Sequence, residues 1–92
     1  MSAEDQATAV ERIETLRRLL EAQPDAADLA PLIEECAHLV SAVRAFHMEA
    51  IRFRMYGLHR QLTRGEHTAP PEALALLDEA RAALETAGFK TK

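Results

Sequence analysis

Apolar residues recur every three or four positions in three separate parts of the chain. In the first part, Val10, Ile13, Leu16 and Leu20 step by three, three and four residues, which is the spacing of one helical face. Pro24 then disfavours helical backbone at the residue before it. The pattern therefore predicts a first helix over about residues 3–22.

The second part is much longer and shows no clear stop signal before residues 63–71, where Gly65 can cap the helix and Pro70 and Pro71 block its continuation. Gly57 lies inside it at a cost of about 1 kcal/mol relative to alanine, which suggests a kink or the close approach of another helix. The pattern predicts a second helix over about residues 29–64. Its apolar positions share one face: Leu29, Leu32, Ile33, Cys36, Leu39, Val40, Val43, Ala50 and Leu58.

A third helix is predicted over about residues 71–87, beginning near the two prolines and ending at Gly88. No stretch carries a strand pattern, and helix-forming Ala, Leu, Glu and Arg dominate a composition with no tryptophan. The sequence thus predicts an all-α protein with three helices in a single domain, residues 1–92. The apolar positions of the third helix are Ala73, Leu74, Leu77, Ala80 and Leu84.

The length of the second helix determines the predicted architecture. Residues 29–64 would form a rod of about 54 Å, whereas a compact chain of 92 residues is only about 30 Å across. We therefore expect two rods to run antiparallel in a homodimer, so that each half becomes a four-helix bundle. The alternative is a rod broken at Gly57, which would give a compact four-helix monomer.

Three polar residues fall on the face of this rod that should be buried. His47, Arg54 and Gln61 are seven residues apart, so they form a line along the helix. Arg54 keeps its charge when buried, so it must meet a carboxylate, a bound anion or water. The line can be a polar layer that fixes register, with acids of the flanking helices as partners. It can also be an anion-binding pocket, with Arg54 as clamp and His47 as donor, or be exposed by a broken rod.

Other candidate residues have simpler interpretations. Glu35 and His38 have the E-x-x-H spacing of helical di-iron sites, and Glu49 lies on nearly the same side of the helix, which makes these three a metal-site alternative. A site of that kind needs more carboxylates than one chain supplies here. Phe46, Phe53 and Tyr56 are interpreted as packing residues that widen the apolar surface, and Cys36 as a small buried apolar residue.

Charge is distributed unevenly along a chain whose net charge is −4. Residues 1–43 hold nine acids against three arginines, residues 44–64 hold five arginines against Glu49, and residues 65–92 are again acidic. The five arginines point in several directions around a helix, and the chain is acidic overall, so nucleic-acid binding is not favoured. Pairing between the basic middle and the acidic flanks is the simpler explanation.

The sequence contains no catalytic motif and predicts no cofactor. It has no phosphate-binding loop, no H-E-x-x-H and no nucleophile elbow, so no catalytic residue is assigned. A single cysteine and the lack of any long apolar run indicate a cytoplasmic protein that does not enter the membrane. We expect a small non-enzymatic helical homodimer acting as a protein-interaction or regulatory module. The alternative is a helical bundle that binds a small anion or a metal between its helices.

Overall fold

A computed structural model describes residues 3–64 and 69–89 and shows an all-helical protein. Within these residues there are four helices, where the sequence pattern predicted three. The first and last match the predicted segments closely, but the long central helix is divided in two. The helices are α1 (Ala3–Glu21), α2 (Ala30–Arg44), α3 (Met48–Arg64) and α4 (Pro71–Thr86).

Helices α1 and α2 form an antiparallel hairpin through the turn at residues 22–29. The Gln6 side-chain amide, near the start of α1, donates to the carbonyl oxygens of Val43 and Arg44 at the end of α2, at 3.0 and 3.4 Å. These bonds give the Arg44 carbonyl a partner that the end of a helix does not supply, and they add a second donor to the Val43 carbonyl. One side of α1 is fully buried, and its residues are Ala9, Ile13, Leu16 and Leu20.

The predicted continuous helix over residues 29–64 is wrong, because the backbone reverses at Ala45–His47. Phe46 has φ of 55°, so it adopts the left-handed conformation in which glycine is usually found. The His47 N–H donates to the carbonyl of Ala42 and the Phe46 N–H to that of Val43, both at 3.1 Å. This pair of bonds is the Schellman pattern that ends many helices. The break therefore lies at Phe46 and not at Gly57, which sits inside α3.

Burial of the inner face of α3 explains why the chain accepts this turn. A left-handed residue other than glycine costs about 1–2 kcal/mol. Folding α3 back onto α2 buries Ile51, Met55 and Leu58 almost completely, and each such side chain contributes about 1.5–3 kcal/mol. The free energy gained by burying these three side chains therefore exceeds the conformational cost of the left-handed backbone at Phe46.

Helix α4 completes the bundle mainly through α1. The most extensive helix contact joins α1 to α4, α2 lies between α1 and α3, and α3 touches α4 only lightly. At the end of α4, Gly88 has φ of 99° and the Phe89 N–H donates to the Leu84 carbonyl at 2.9 Å, so this helix ends with the same pattern as α2. The Phe89 side chain is buried in the core.

A single chain closes its own core. The radius of gyration is 12.2 Å and the molecule measures 36 × 20 × 20 Å, close to the radius of about 12 Å expected for a compact chain of this length. The homodimer was expected because an unbroken rod could not be enclosed by one chain, and the turn at Phe46 removes that reason. No helix among the described residues combines the length and the apolar character needed to cross a membrane.

Candidate functional site

In the part of the chain that the structure describes, the large apolar side chains left exposed lie in one short segment. Phe46 is 53% exposed, and Phe53 and Tyr56 are each 65% exposed; Met48, at 36%, lies beside them in sequence. The sequence interpretation of Phe46, Phe53 and Tyr56 as packing residues is not met inside the single chain, because all three are exposed there. Exposed apolar clusters on a small protein are typical of interaction surfaces.

Helix α3 separates its residues onto two opposite faces. Ile51, Met55 and Leu58 point into the bundle and are buried. Phe53 and Tyr56 lie about 160° away around the helix, at 100° per residue, and point to solvent. Glu49 and Arg60 share this outward side and are exposed as well. We call these four exposed residues, Glu49, Phe53, Tyr56 and Arg60, the outer face of α3.

A shallow groove of about 520 Å³ runs along this outer face. Phe53, Tyr56, Gly57, Arg60 and Gln61 line it, and the surface of the groove is mainly apolar. A Cβ atom placed on Gly57 would meet nothing within 4 Å. Because no described residue would meet this Cβ atom, packing within residues 3–64 and 69–89 does not require a glycine at this helical position.

Arg54 forms an ion pair between neighbouring helices. Its Nη1 donates to Oε1 of Glu35 on α2 at 2.8 Å, and its guanidinium carbon lies 5.6 Å from the centre of the Phe53 ring. Arg54 thus meets a carboxylate, as its permanent charge demands. Its side chain remains 37% exposed, so Arg54 lies at the surface of the bundle and not inside it.

His47 and Gln61 do not join Arg54 in a buried line. His47 is exposed and stands immediately before α3, where its Nδ1 accepts the Ala50 N–H at 3.2 Å. It therefore caps the N-terminus of α3, where four N–H groups lack intrahelical partners. Gln61 is half-buried at the edge of the groove. Among the described residues no polar or charged side chain is fully buried, so the polar stripe inside the bundle does not exist.

The residues of the metal alternative are also placed by the fold. Glu35 pairs with Arg54, His38 is exposed on α2, and Glu49 lies beyond the turn on the outer face of α3. Across residues 3–64 and 69–89, no three His, Cys, Asp or Glu side chains come together in a group that could hold a metal ion. The geometry therefore gives the metal alternative no support.

Cys36 is fully buried on α2, as its apolar position predicted. Burial raises the pKa of its thiol from an ordinary 9.0 to about 12. Arg17 acts in the opposite direction, while the nearby carboxylates of Glu14 and Glu35 raise the pKa further. The thiol is thus held in its unreactive protonated form at neutral pH.

Sequence reasoning named Glu49, Phe53 and Tyr56 but missed that they share one exposed face with Arg60. Their exposure follows from the pattern of residues 48–64 when this segment is read as a separate helix, because Ile51, Met55 and Leu58 then define its buried side. If residues 48–64 are treated as a continuation of α2, the wrong side of this segment is predicted to face the core.

Comparisons of this chain with known protein families, with curated proteins and with solved structures find no match.

Proposed function

We propose that this chain is a non-enzymatic interaction module of the cytosol that works as a homodimer, with the outer face of α3 as its contact surface. The observation that carries the proposal is the position of Phe53 and Tyr56. Two aromatic rings, each about two-thirds exposed, stand one helical turn apart beside an apolar groove. Aromatic residues of this kind dominate the binding energy of protein interfaces.

Gly57 supports the same conclusion from a different direction. A glycine in the interior of a helix costs about 1 kcal/mol relative to alanine. A Cβ atom on Gly57 would meet none of the described residues, so packing among them offers no compensation for this cost. A glycine beside an apolar groove allows a second helix to come close to the backbone of α3.

Anion binding by Arg54 and His47 lacks comparable support. The charge of Arg54 is already compensated by Glu35, and Nδ1 of His47 is already used as the cap of α3. An added anion would have to compete with the Glu35 carboxylate for the same guanidinium group.

Sedimentation velocity tests the proposal. The wild-type chain should change from monomer to dimer between low-micromolar and near-millimolar concentration. Replacing Phe53 and Tyr56 together by serine should weaken the dimer at least about tenfold, because each exposed ring is an interface anchor. The folded helix content should persist, since neither ring belongs to the core.

The matched control replaces two exposed residues of α4, Ala75 and Ala82, by serine. This variant introduces the same two polar groups on a different helix and should dimerise like the wild type. A wild-type chain that remains monomeric at every concentration would contradict the proposal, as would a double serine variant that dimerises normally.

A further inference from the structure

We infer that two copies of α3 pair antiparallel in one defined register, with Glu49 of each copy beside Arg60 of the other and Phe53 against Tyr56. This inference rests on the proposed function and specifies both the partner of the outer face and the orientation in which it binds. It follows from the spacing, the exposure and the charge of these four residues.

The spacing comes first. Glu49, Phe53, Tyr56 and Arg60 are separated by four, three and four residues, which is the spacing of one seam of a coiled coil. At 100° per residue the four lie within an arc of about 60°. All four are exposed, so they form a continuous strip along the solvent side of α3.

The spacing is also symmetric. Glu49 and Arg60 lie equally far from the middle of the strip, and so do Phe53 and Tyr56. A two-fold axis through this midpoint exchanges the members of each pair between two antiparallel helices. One antiparallel register therefore creates two Glu49–Arg60 contacts and two Phe53–Tyr56 contacts at once.

Charge selects this orientation. A parallel pair in register would place Glu49 beside Glu49 and Arg60 beside Arg60, and facing like charges oppose association. The antiparallel pair places opposite charges together at both ends and the aromatic rings at the centre. Neither Glu49 nor Arg60 forms an ion pair within the part of the chain that the structure describes, so both charges are available to a second copy.

The area of the outer face limits the affinity that we expect for the homodimer. One pair of helices of this length buries less than the ~1,200–2,000 Å² of a standard stable interface. The aromatic centre supplies most of the binding energy, while charged pairs at the rim act mainly on orientation. We therefore expect a dimer of micromolar affinity whose geometry depends on the end charges.

Charge reversal tests the register. Glu49→Arg and Arg60→Glu should each weaken the homodimer at least about tenfold, since each change creates two repulsive contacts in a symmetric dimer. The double variant carrying both changes should recover wild-type affinity because it restores both pairs. An equimolar mixture of the two single variants should form a heterodimer, since every facing pair then has opposite charges.

Two control variants change the net charge by the same amounts as the test variants, but on other helices. Arg18→Glu on α1 and Glu34→Arg on α2 alter exposed residues away from α3 and should leave the dimer unchanged. Sedimentation velocity at matched ionic strength measures all variants, and circular dichroism checks that each is folded.

The outcomes separate the two proposals. If the wild type dimerises but the single variants do so equally well, the antiparallel register is wrong while the homodimer stands. If the double variant is no better than the single ones, the pairing of Glu49 with Arg60 is wrong. If the wild type stays monomeric, the homodimer itself fails and the register fails with it.

Discussion

We expect the Phe46→Gly variant to be more stable than the Phe46→Ala variant, which is the reverse of the order found inside helices. Phe46 lies at φ of 55° in the turn between α2 and α3, in backbone that glycine adopts at little cost and other residues adopt with strain. Replacing it by glycine or by alanine removes the same aromatic ring. The difference between Phe46→Gly and Phe46→Ala therefore reports on the backbone alone.

The magnitude follows from the conformation. In the left-handed region alanine costs about 1–2 kcal/mol, partly offset by the larger entropy that glycine loses on folding. We expect Phe46→Gly to be more stable than Phe46→Ala by about 1 kcal/mol. In a continuous helix the order would be opposite, with alanine favoured by about 1 kcal/mol. The two structures thus differ by about 2 kcal/mol in this comparison.

Urea unfolding followed by circular dichroism measures the difference. All variants are compared at one protein concentration, because dimerisation adds to apparent stability. A difference of 1 kcal/mol corresponds to about 4–8 °C in the thermal midpoint of a small domain. Ala75→Gly, at an exposed position inside α4, is the control and should lose about 1 kcal/mol. If Phe46→Ala proves the more stable of the two variants, the turn at Phe46 is wrong.

Three further predictions concern residues inside or beside the bundle. The unfolded chain releases the Cys36 proton near pH 9, whereas the folded chain holds it up to about pH 12, so stability should fall as pH rises between these values, by at most about 1.4 kcal/mol per pH unit. Urea midpoints above pH 9 measure this loss, and Cys36→Ala should abolish the part due to the thiol. A double-mutant cycle of Glu35→Gln and Arg54→Met should give a coupling energy below about 1 kcal/mol that shrinks in high salt, because both side chains are partly exposed; a much larger coupling would contradict the exposed position. Gly57→Ala should stabilise the dilute monomer by about 0.5–1 kcal/mol in thermal unfolding, since its methyl group meets open space, and a loss of stability would show that the fold needs the glycine.

The sequence predicted the helices whose ends carry recognisable signals. The first helix stops before Pro24 and the last runs from Pro71 to the residues before Gly88, where a glycine takes the left-handed position. The turn at Phe46 has the same backbone pattern without glycine or proline, so local propensity gives no warning of it. The turn forms because of tertiary packing, since it allows α3 to bury its apolar side against α2.

This single break accounts for the errors at the candidate site. Continuing the helical phase of α2 through residues 45–47 placed His47, Arg54 and Gln61 on the inside and left Ile51 and Met55 off the buried face. The fixed charge of Arg54 called for a carboxylate, an anion or water as partner, and the structure pairs it with the carboxylate of Glu35. Its partner, Glu35, could not be predicted, since both residues were assigned to one rigid helix and so could not face each other.

The close packing of α1 against α4 has a consequence for how the protein is made. The first and last helices share the most extensive contact in the bundle, so nascent α1 emerges from the ribosome long before its main neighbour has been synthesised. During that interval the side of α1 destined for α4 lacks its cover, and such surface is prone to aggregation or capture by chaperones. This bundle is therefore completed only after α4 has been translated, and loss of α4 by premature termination would leave α1 without its most extensive contact.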